Sequence, residues 1–226
     1  APVCGVLMAQ YEARRQVVQR ARHDPLTGFL ARAALCDGLD TEIDRPGDHH
    51  VAVLMFNIDR FRDINEAFGY RSGDFLLATL ATRLRALCGE ENVVGRFSGD
   101  EFVIVLPHTQ HDAAIAFVGT LRAALCQPVD INNNQIVPSL SIGISLFPDA
   151  GPDGETLLAR AERAMRQASE HARGTYHVAP PYEYARHSDL LPPGPARPCG
   201  PAGGQMHLHY QPQRRAGSGV FYGVEA

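Results

Sequence analysis

Two adjacent carboxylates that directly follow a glycine-containing turn constrain the folding of this chain more than any other feature. The run at residues 96–102 reads Arg-Phe-Ser-Gly-Asp-Glu-Phe and has apolar residues on both sides. This pattern predicts a β-hairpin of two buried strands, in which Asp100 and Glu101 open the second strand. Because carboxylates at the edge of a core lose water and repel each other, this pair requires a cation or hydrogen-bond donors nearby.

A second buried strand ends in the same kind of residue. The uninterrupted apolar run Val51–Phe56 continues into Asn57, Ile58 and Asp59. If the two strand ends lie side by side, Asn57, Asp59 and Asp100 form an oxygen-rich pocket that suits Mg²⁺ or Mn²⁺. The alternative is that these polar groups only hydrate the turns at the strand ends, and the spacing alone leaves both interpretations open.

Hydrophobic periodicity indicates an alternating α/β arrangement. Three stripes at helical spacing predict helices at about 73–88, 114–125 and 157–168, and strict alternation predicts a strand at 140–146. Together with the strand at Val51 and the hairpin, the order is βαββαβ. This order predicts an α+β fold in which helices pack against a mainly antiparallel central sheet.

Composition limits the classes of protein that remain. The 226 residues include five widely spaced cysteines, and the formal net charge is −4. The cysteines show no metal-ligand spacing and suit reduced thiols in a cytoplasm. The negative charge argues against nucleic acid as a partner. No apolar run in this segment is long enough to cross a membrane, although a tether upstream of it stays open.

The chain divides into four predicted parts. Residues 1–22 form an N-terminal helix, either a signalling coiled-coil linker or a frayed end, and residues 23–178 form the globular domain. Residues 179–204 form a linker rich in proline and glycine. Residues 205–226 read as two short strands.

Five motifs in order resemble the GGDEF family of bacterial diguanylate cyclase domains. Ser98–Phe102 is a one-residue variant of the motif that names the family. The other four lie at residues 23–32, 57–66, 69–74 and 161–173. The resemblance implies a palm-like core, as in nucleotide cyclases, and a homodimer that condenses two GTP molecules into cyclic di-GMP. It also implies that residues 205–226 are the truncated start of an EAL phosphodiesterase domain, with a sensor domain upstream.

The resemblance also implies residue roles. Metal would be bound by Asp100, Asn57, Ile58 and Asp59, and Glu101 would assist the metal or activate the hydroxyl group. Guanine would be read by Asn65 and Asp74, although Asp74 could instead cap a helix. The remaining implied contacts are with the nucleotide and its phosphates, through Arg60, Phe61, Arg62, Gly99 and Arg173.

Several positions depart from the family pattern and leave two functions open. Asn57 replaces an aspartate, Ser98 replaces a glycine, and Ser169 stands where we align a phosphate-binding lysine. A neutral amide removes one negative charge from a Mg²⁺ site. The domain is therefore either a weakened cyclase or a degenerate GTP-binding module that regulates the attached phosphodiesterase. Gly89 and Asn92 replace the Arg-x-x-Asp product-binding motif, so feedback inhibition through that site is not expected.

Overall fold

The computed structural model describes residues 22–46, 50–89 and 91–182, together with the backbone of two short strands at 211–214 and 221–225. The chain divides into two compact units between Arg186 and His187. The predicted N-terminal helix and most of the predicted linker lie outside the described residues. The described start of that linker contacts the domain, because the Ala179 N–H donates to the Ile144 carbonyl at 2.7 Å.

The first unit contains a mixed sheet flanked by helices. Its strands are β1 (Leu30–Ala31), β2 (Val51–Ile58), β3 (Val93–Ser98), β4 (Glu101–Pro107), β5 (Val129–Ile131), β6 (Asn134–Ile136), β7 (Leu140–Phe147) and β8 (Tyr176–Val178). Its helices are α1 (Arg32–Ile43), α2 (Phe61–Phe68), α3 (Tyr70–Cys88), α4 (His111–Leu125) and α5 (Gly154–His171).

Six strands form the central sheet in the order β1-β3-β4-β2-β7-β8. The inner pairings of β2 with β4, β2 with β7, and β3 with β4 are antiparallel, whereas β1 and β8 pair in parallel at the edges. This confirms the predicted mainly antiparallel sheet and the βαββαβ order. Helices α1 and α2, the edge strands and the small β5–β6 hairpin are additions that the periodicity did not predict.

The sheet has an apolar layer on each face, and β2 contributes to both. Leu54 and Phe56 pack in the layer that contains α3 and α4, whereas Val53 and Met55 pack in the layer that contains α1 and α5. Burial on both faces explains why β2 reads as an unbroken apolar run instead of an alternating one. The centre of the sheet is thus a rigid support for whatever follows Ile58.

The second unit is described only by its backbone. Strand β9 (Gln211–Arg214) pairs antiparallel with β10 (Phe221–Glu225). Two short strands were expected in this region, and their assignment to a phosphodiesterase domain stays a prediction.

Candidate functional site

The register between β2 and β4 brings the two polar strand ends together. The pairing runs from Val51 opposite Pro107 to Asn57 opposite Glu101. Just behind the site, the rings of Phe56 and Phe102 stack at 5.3 Å between centroids. The strand ends therefore lie side by side, as the sequence predicted.

Asp100 is a partly buried carboxyl group in the turn between β3 and β4. Burial raises its pKa above the ordinary value, and the adjacent charge of Glu101 raises it further. Backbone hydrogen bonds, one of them involving Ile58, and the charge of Arg96 oppose this shift without cancelling it. A carboxyl group in this environment is stabilised as an anion when a cation binds beside it.

Glu101 contacts the serine that replaces the first glycine of the motif. The Ser98 hydroxyl donates a short hydrogen bond to Glu101 Oε2. A glycine at that position would offer no such donor, so this bond is particular to the serine variant of the turn. Ser98 therefore constrains the side chain of Glu101 at the mouth of the site.

Asn57 provides a buried oxygen atom that has no hydrogen-bond partner among the described residues. Buried polar atoms are nearly always satisfied, so this oxygen is available to a ligand, an ion or a water molecule. Asn57 and its cross-strand partner Glu101, with Asp100 in the adjoining turn, carry oxygen atoms, which is the donor type that Mg²⁺ and Mn²⁺ accept. Among the described residues, no cluster of three or more His, Cys, Asp or Glu side chains could hold a metal ion.

Asp59 lies on the other side of β2 from Asp100. Its Oδ1 accepts from the Ser141 hydroxyl at 2.6 Å, and its Oδ2 accepts from the Ser139 hydroxyl at 2.5 Å and from the Gly174 N–H at 2.9 Å. Ser141 belongs to β7, whereas Asp100 adjoins β4, and β2 separates these two strands in the sheet. The hydrogen bonds of the Asp59 carboxylate to Ser139 and Ser141 therefore lie on the β7 side of β2.

The predicted guanine-binding residues meet where α2 and α3 adjoin. The Asn65 side-chain oxygen packs directly against Gly73, in the space that a β-carbon would fill. Asp74, which follows Gly73 in α3, is exposed. Because α3 begins at Tyr70 and has Gly69 as its N-cap, Asp74 lies beyond the first turn, and the helix-capping alternative is wrong.

The predicted phosphate-binding residues lie at the start of α2 and just past the end of α5. Arg60 has a left-handed backbone, with φ of 58°, and Phe61 begins the helix. Arg60 and Arg173 line one cleft of about 540 Å³. Arg62 is instead exposed, and its Nε donates to Glu66 Oε1 at 2.7 Å.

Sequence reasoning missed two charged residues that hold the tip of the hairpin. The Arg96 guanidinium donates to the Gly99 carbonyl at 2.8 and 2.6 Å and to both oxygens of Asp24 at 3.1 Å. Burial works against ionisation of Asp24, but hydrogen bonds from Thr27 and the charge of Arg96 lower its pKa overall. The only signal in the sequence was that Asp24 and Arg96 carry opposite charges and belong to two separate motifs.

The positions of the missing product-binding motif lie at a small cavity. Gly89 and Asn92 line a cavity of about 290 Å³ together with Arg85. The Asn92 amide donates a short hydrogen bond to the Cys88 carbonyl, and Arg85 donates to the Thr27 carbonyl at 2.7 Å. Absence of feedback inhibition through this region stays a prediction.

A mainly antiparallel sheet flanked by helices, with carboxylates at a hairpin tip beside a second polar strand end, is the fold class to which this chain belongs, and it matches solved GGDEF domain structures. The family model described as "Diguanylate cyclase, GGDEF domain" matches residues 21–175. The chain therefore belongs to the GGDEF family, whose members are domains of cyclic di-GMP signalling proteins.

Individual relatives agree with this assignment. The chain is 32% identical over 216 residues to the bifunctional diguanylate cyclase/cyclic di-GMP phosphodiesterase MucR of Pseudomonas aeruginosa, covering 95% of this chain and 32% of MucR. It is 29% identical over 216 residues to the cyclic di-GMP phosphodiesterase NbdA of the same species, covering 95% of this chain and 28% of NbdA. The chain thus spans about a third of the length of these relatives.

A solved structure agrees with the fold. The GGDEF domain of TpbB from Pseudomonas aeruginosa superimposes with a TM-score of 0.67 at 31% identity, covering 73% of this chain and 98% of that one. No helix within the described residues is long and apolar enough to cross a bilayer.

Proposed function

We propose that residues 23–178 are a diguanylate cyclase domain that condenses two GTP molecules into cyclic di-GMP and two pyrophosphates. The observation that carries the proposal is the β2–β4 register, because Asn57, whose side-chain oxygen has no partner among the described residues, pairs with Glu101. Each subunit of a homodimer would hold one GTP, since a symmetric product requires two equivalent hydroxyl groups and two equivalent phosphates.

The proposed metal site is formed by Asn57, the Ile58 carbonyl and Asp100. Diguanylate cyclases of this family generally use a divalent metal ion, and Mg²⁺ or Mn²⁺ would neutralise phosphate charge and lower the pKa of the attacking hydroxyl group. Glu101 would orient that hydroxyl or accept its proton. Gly99 contributes open space, because a β-carbon added there would meet no protein atom within 4 Å.

Nucleotide recognition would be divided between two ends of the site. Asn65 and Asp74 would hydrogen-bond the guanine edge, because a carboxylate can accept from the N1–H and N2–H₂ groups of guanine. Arg173 and the backbone N–H groups of Arg60 and Phe61 would hold the phosphates. Arg62 would join them after leaving its exposed pair with Glu66, which costs little.

A second candidate function is a GTP-binding regulatory domain that does not turn GTP over. It is favoured by the neutral Asn57 and by Ser169, which offers no cation where we align a phosphate-binding lysine. NbdA, with which 95% of this chain aligns, is described as a phosphodiesterase. In this candidate the domain would control an attached EAL domain in the bacterial cytoplasm, downstream of a sensor domain.

Incubation of the purified chain with GTP and either Mg²⁺ or Mn²⁺ tests both candidates. Chromatography measures cyclic di-GMP, and calorimetry measures GTP affinity in parallel. The cyclase predicts product formation that Glu101→Gln abolishes and that the exposed control Glu170→Gln leaves unchanged. GTP binding without product would support the regulatory domain, and the absence of both would contradict both candidates.

A further inference from the structure

Asp59 is a buried carboxylate whose partners are all uncharged donors. Only 9% of the residue is exposed, and three hydrogen bonds reach its two oxygens, from Ser139, Ser141 and Gly174. A carboxylate offers about four acceptor sites, so most of this capacity is occupied within the protein. A metal ion would therefore compete with three donors for the oxygens of Asp59.

The three donors tie together segments that are distant in sequence. The Asp59 N–H also donates to the Ser139 carbonyl at 2.9 Å, so the end of β2 and the approach to β7 bond through both backbone and side chain. The Gly174 N–H belongs to the turn that follows α5. One carboxylate therefore joins the end of β2, the start of β7 and the end of α5.

The joined segments carry the two arginines of the predicted phosphate end. Arg60 directly follows Asp59, and Arg173 directly precedes Gly174. Gly174 has a φ of +75°, and a β-carbon there would lie 2.9 Å from the Ser139 hydroxyl, so the turn fits closely around this bond. The exposed side chains of Arg60 and Arg173 line the same cleft.

We propose that Asp59 is a positioning residue that fixes the Arg173 turn against the Arg60 turn for triphosphate binding, and that it is not a metal ligand. This inference rests on the proposed binding of GTP. It assigns adjacent residues of the strand end to different tasks: Asn57 and Ile58 face the metal, and Asp59 orders the phosphate-binding turns.

The substitution Asp59→Asn tests the proposal because it keeps the shape of the side chain. The neutral amide keeps a single oxygen for three donors, and either of its orientations replaces the charge-assisted hydrogen bond from the Gly174 N–H with a neutral bond or a repulsive contact. We expect GTP affinity to fall by at least about tenfold, since small displacements of positioning groups have large effects. Guanosine affinity, which needs no phosphate contact, and the Mg²⁺ concentration for half-maximal GTP binding should not change.

A double-substitution cycle separates positioning from a general structural effect. In an Arg173→Ala background, Asp59→Asn should cause no further loss of GTP affinity, because the residue that it positions is gone. The milder Ser139→Ala should weaken GTP binding in the same direction. Asp37→Asn is the matched control, because it removes the same charge from an exposed position on α1 that does not line this cleft. This control should leave GTP affinity unchanged.

Hydrogen exchange of the Gly174 amide in the nucleotide-free protein makes the result independent of GTP binding. We expect a protected amide in the wild-type chain and faster exchange after Asp59→Asn, with no change after Asp37→Asn. A shift in Mg²⁺ dependence that persists without Arg173, or an equal loss of guanosine and GTP affinity, would overturn the proposal. The chain could fail to bind GTP while protection of the Gly174 amide still depended on Asp59. That result would overturn the proposed function, but it would leave the hydrogen-bonded link between the two turns standing.

Discussion

β2 has two flanks, one toward β7 and one toward β4, and the carboxylates on these flanks differ in their hydrogen-bond partners. Toward β7, Asp59 is buried and receives three hydrogen bonds from neutral donors. Toward β4, Asp100 is partly buried with a raised pKa, and the Asn57 oxygen beside it has no partner among the described residues. The difference indicates that the Asp59 carboxylate is satisfied within the protein, whereas the Asn57 oxygen is available to a ligand.

The sharpest test of the β4 flank is Asp100→Asn. We expect metal-dependent turnover to fall by about 100-fold or more, because a hard-cation site loses its most buried charge. The nucleotide-free domain should become more stable, since a buried carboxylate with a raised pKa opposes folding when it is ionised. Thermal unfolding at neutral pH and product assays measure the two effects. A lower Tm would show that Asp100 is already satisfied.

The same kind of truncation on the β7 flank should have the opposite effect on stability. Asp59→Ala leaves the Gly174 N–H and two serine hydroxyls without their acceptor, and we expect a loss of roughly 2–4 kcal/mol. Denaturant titration measures this loss. Equal stability of Asp59→Ala and the wild-type chain would show that the hydrogen bonds to Asp59 do not stabilise the fold.

Restoring the charge that Asn57 lacks should move the two properties of the β4 flank in opposite directions. Asn57→Asp should raise Mg²⁺ affinity about tenfold, as expected for an added carboxylate ligand at a hard-cation site. It should also lower the stability of the metal-free domain, because it adds a third negative charge beside Asp100 and Glu101. Metal titration and thermal unfolding check the pair. Unchanged Mg²⁺ affinity would remove Asn57 from the metal site.

A smaller, pH-dependent effect is expected where Arg96 joins the hairpin tip to Asp24. The pKa of Asp24 is lowered from 3.8, so its contribution to folding is present above pH 3.8 and is lost as the pH falls through the lower folded-state pKa. Asp24→Asn should therefore cost about 1 kcal/mol near neutral pH and progressively less below pH 3.8. Urea titrations across this range measure it, with the exposed Asp130→Asn as control. A difference that is independent of pH would contradict the assigned charge interaction.

The smallest effect is expected at the exposed pair of Arg62 and Glu66. Its side chains are 88% and 63% exposed, so Glu66→Gln should change stability by less than about 0.5 kcal/mol. If Arg62 binds phosphate, GTP affinity should be unchanged or slightly higher, because the arginine is released from a competing partner. A clear loss of GTP affinity would assign Glu66 its own role in the site.

The sequence by itself determined the central strands of the sheet and the polar residues at which they end. The unbroken apolar run at Val51–Phe56 and the hairpin signal at residues 96–102 required two buried strands, each of which ends in oxygen-bearing side chains. Helices α3, α4 and α5 followed from their apolar stripes. Short elements such as α2 and the β5–β6 hairpin escaped prediction because few residues give little periodic signal.

Only the tertiary structure decided which groups surround each carboxylate. In the sequence, Asp59 follows a buried strand and Asp100 precedes one, and nothing else distinguishes them. We therefore predicted from their spacing that they share one pocket. The strand order places β2 between β4 and β7 and so turns them toward different neighbours. Whether a buried charge is already satisfied depends on donors far away along the chain, such as Gly174 for Asp59, and local sequence carries no information about such contacts.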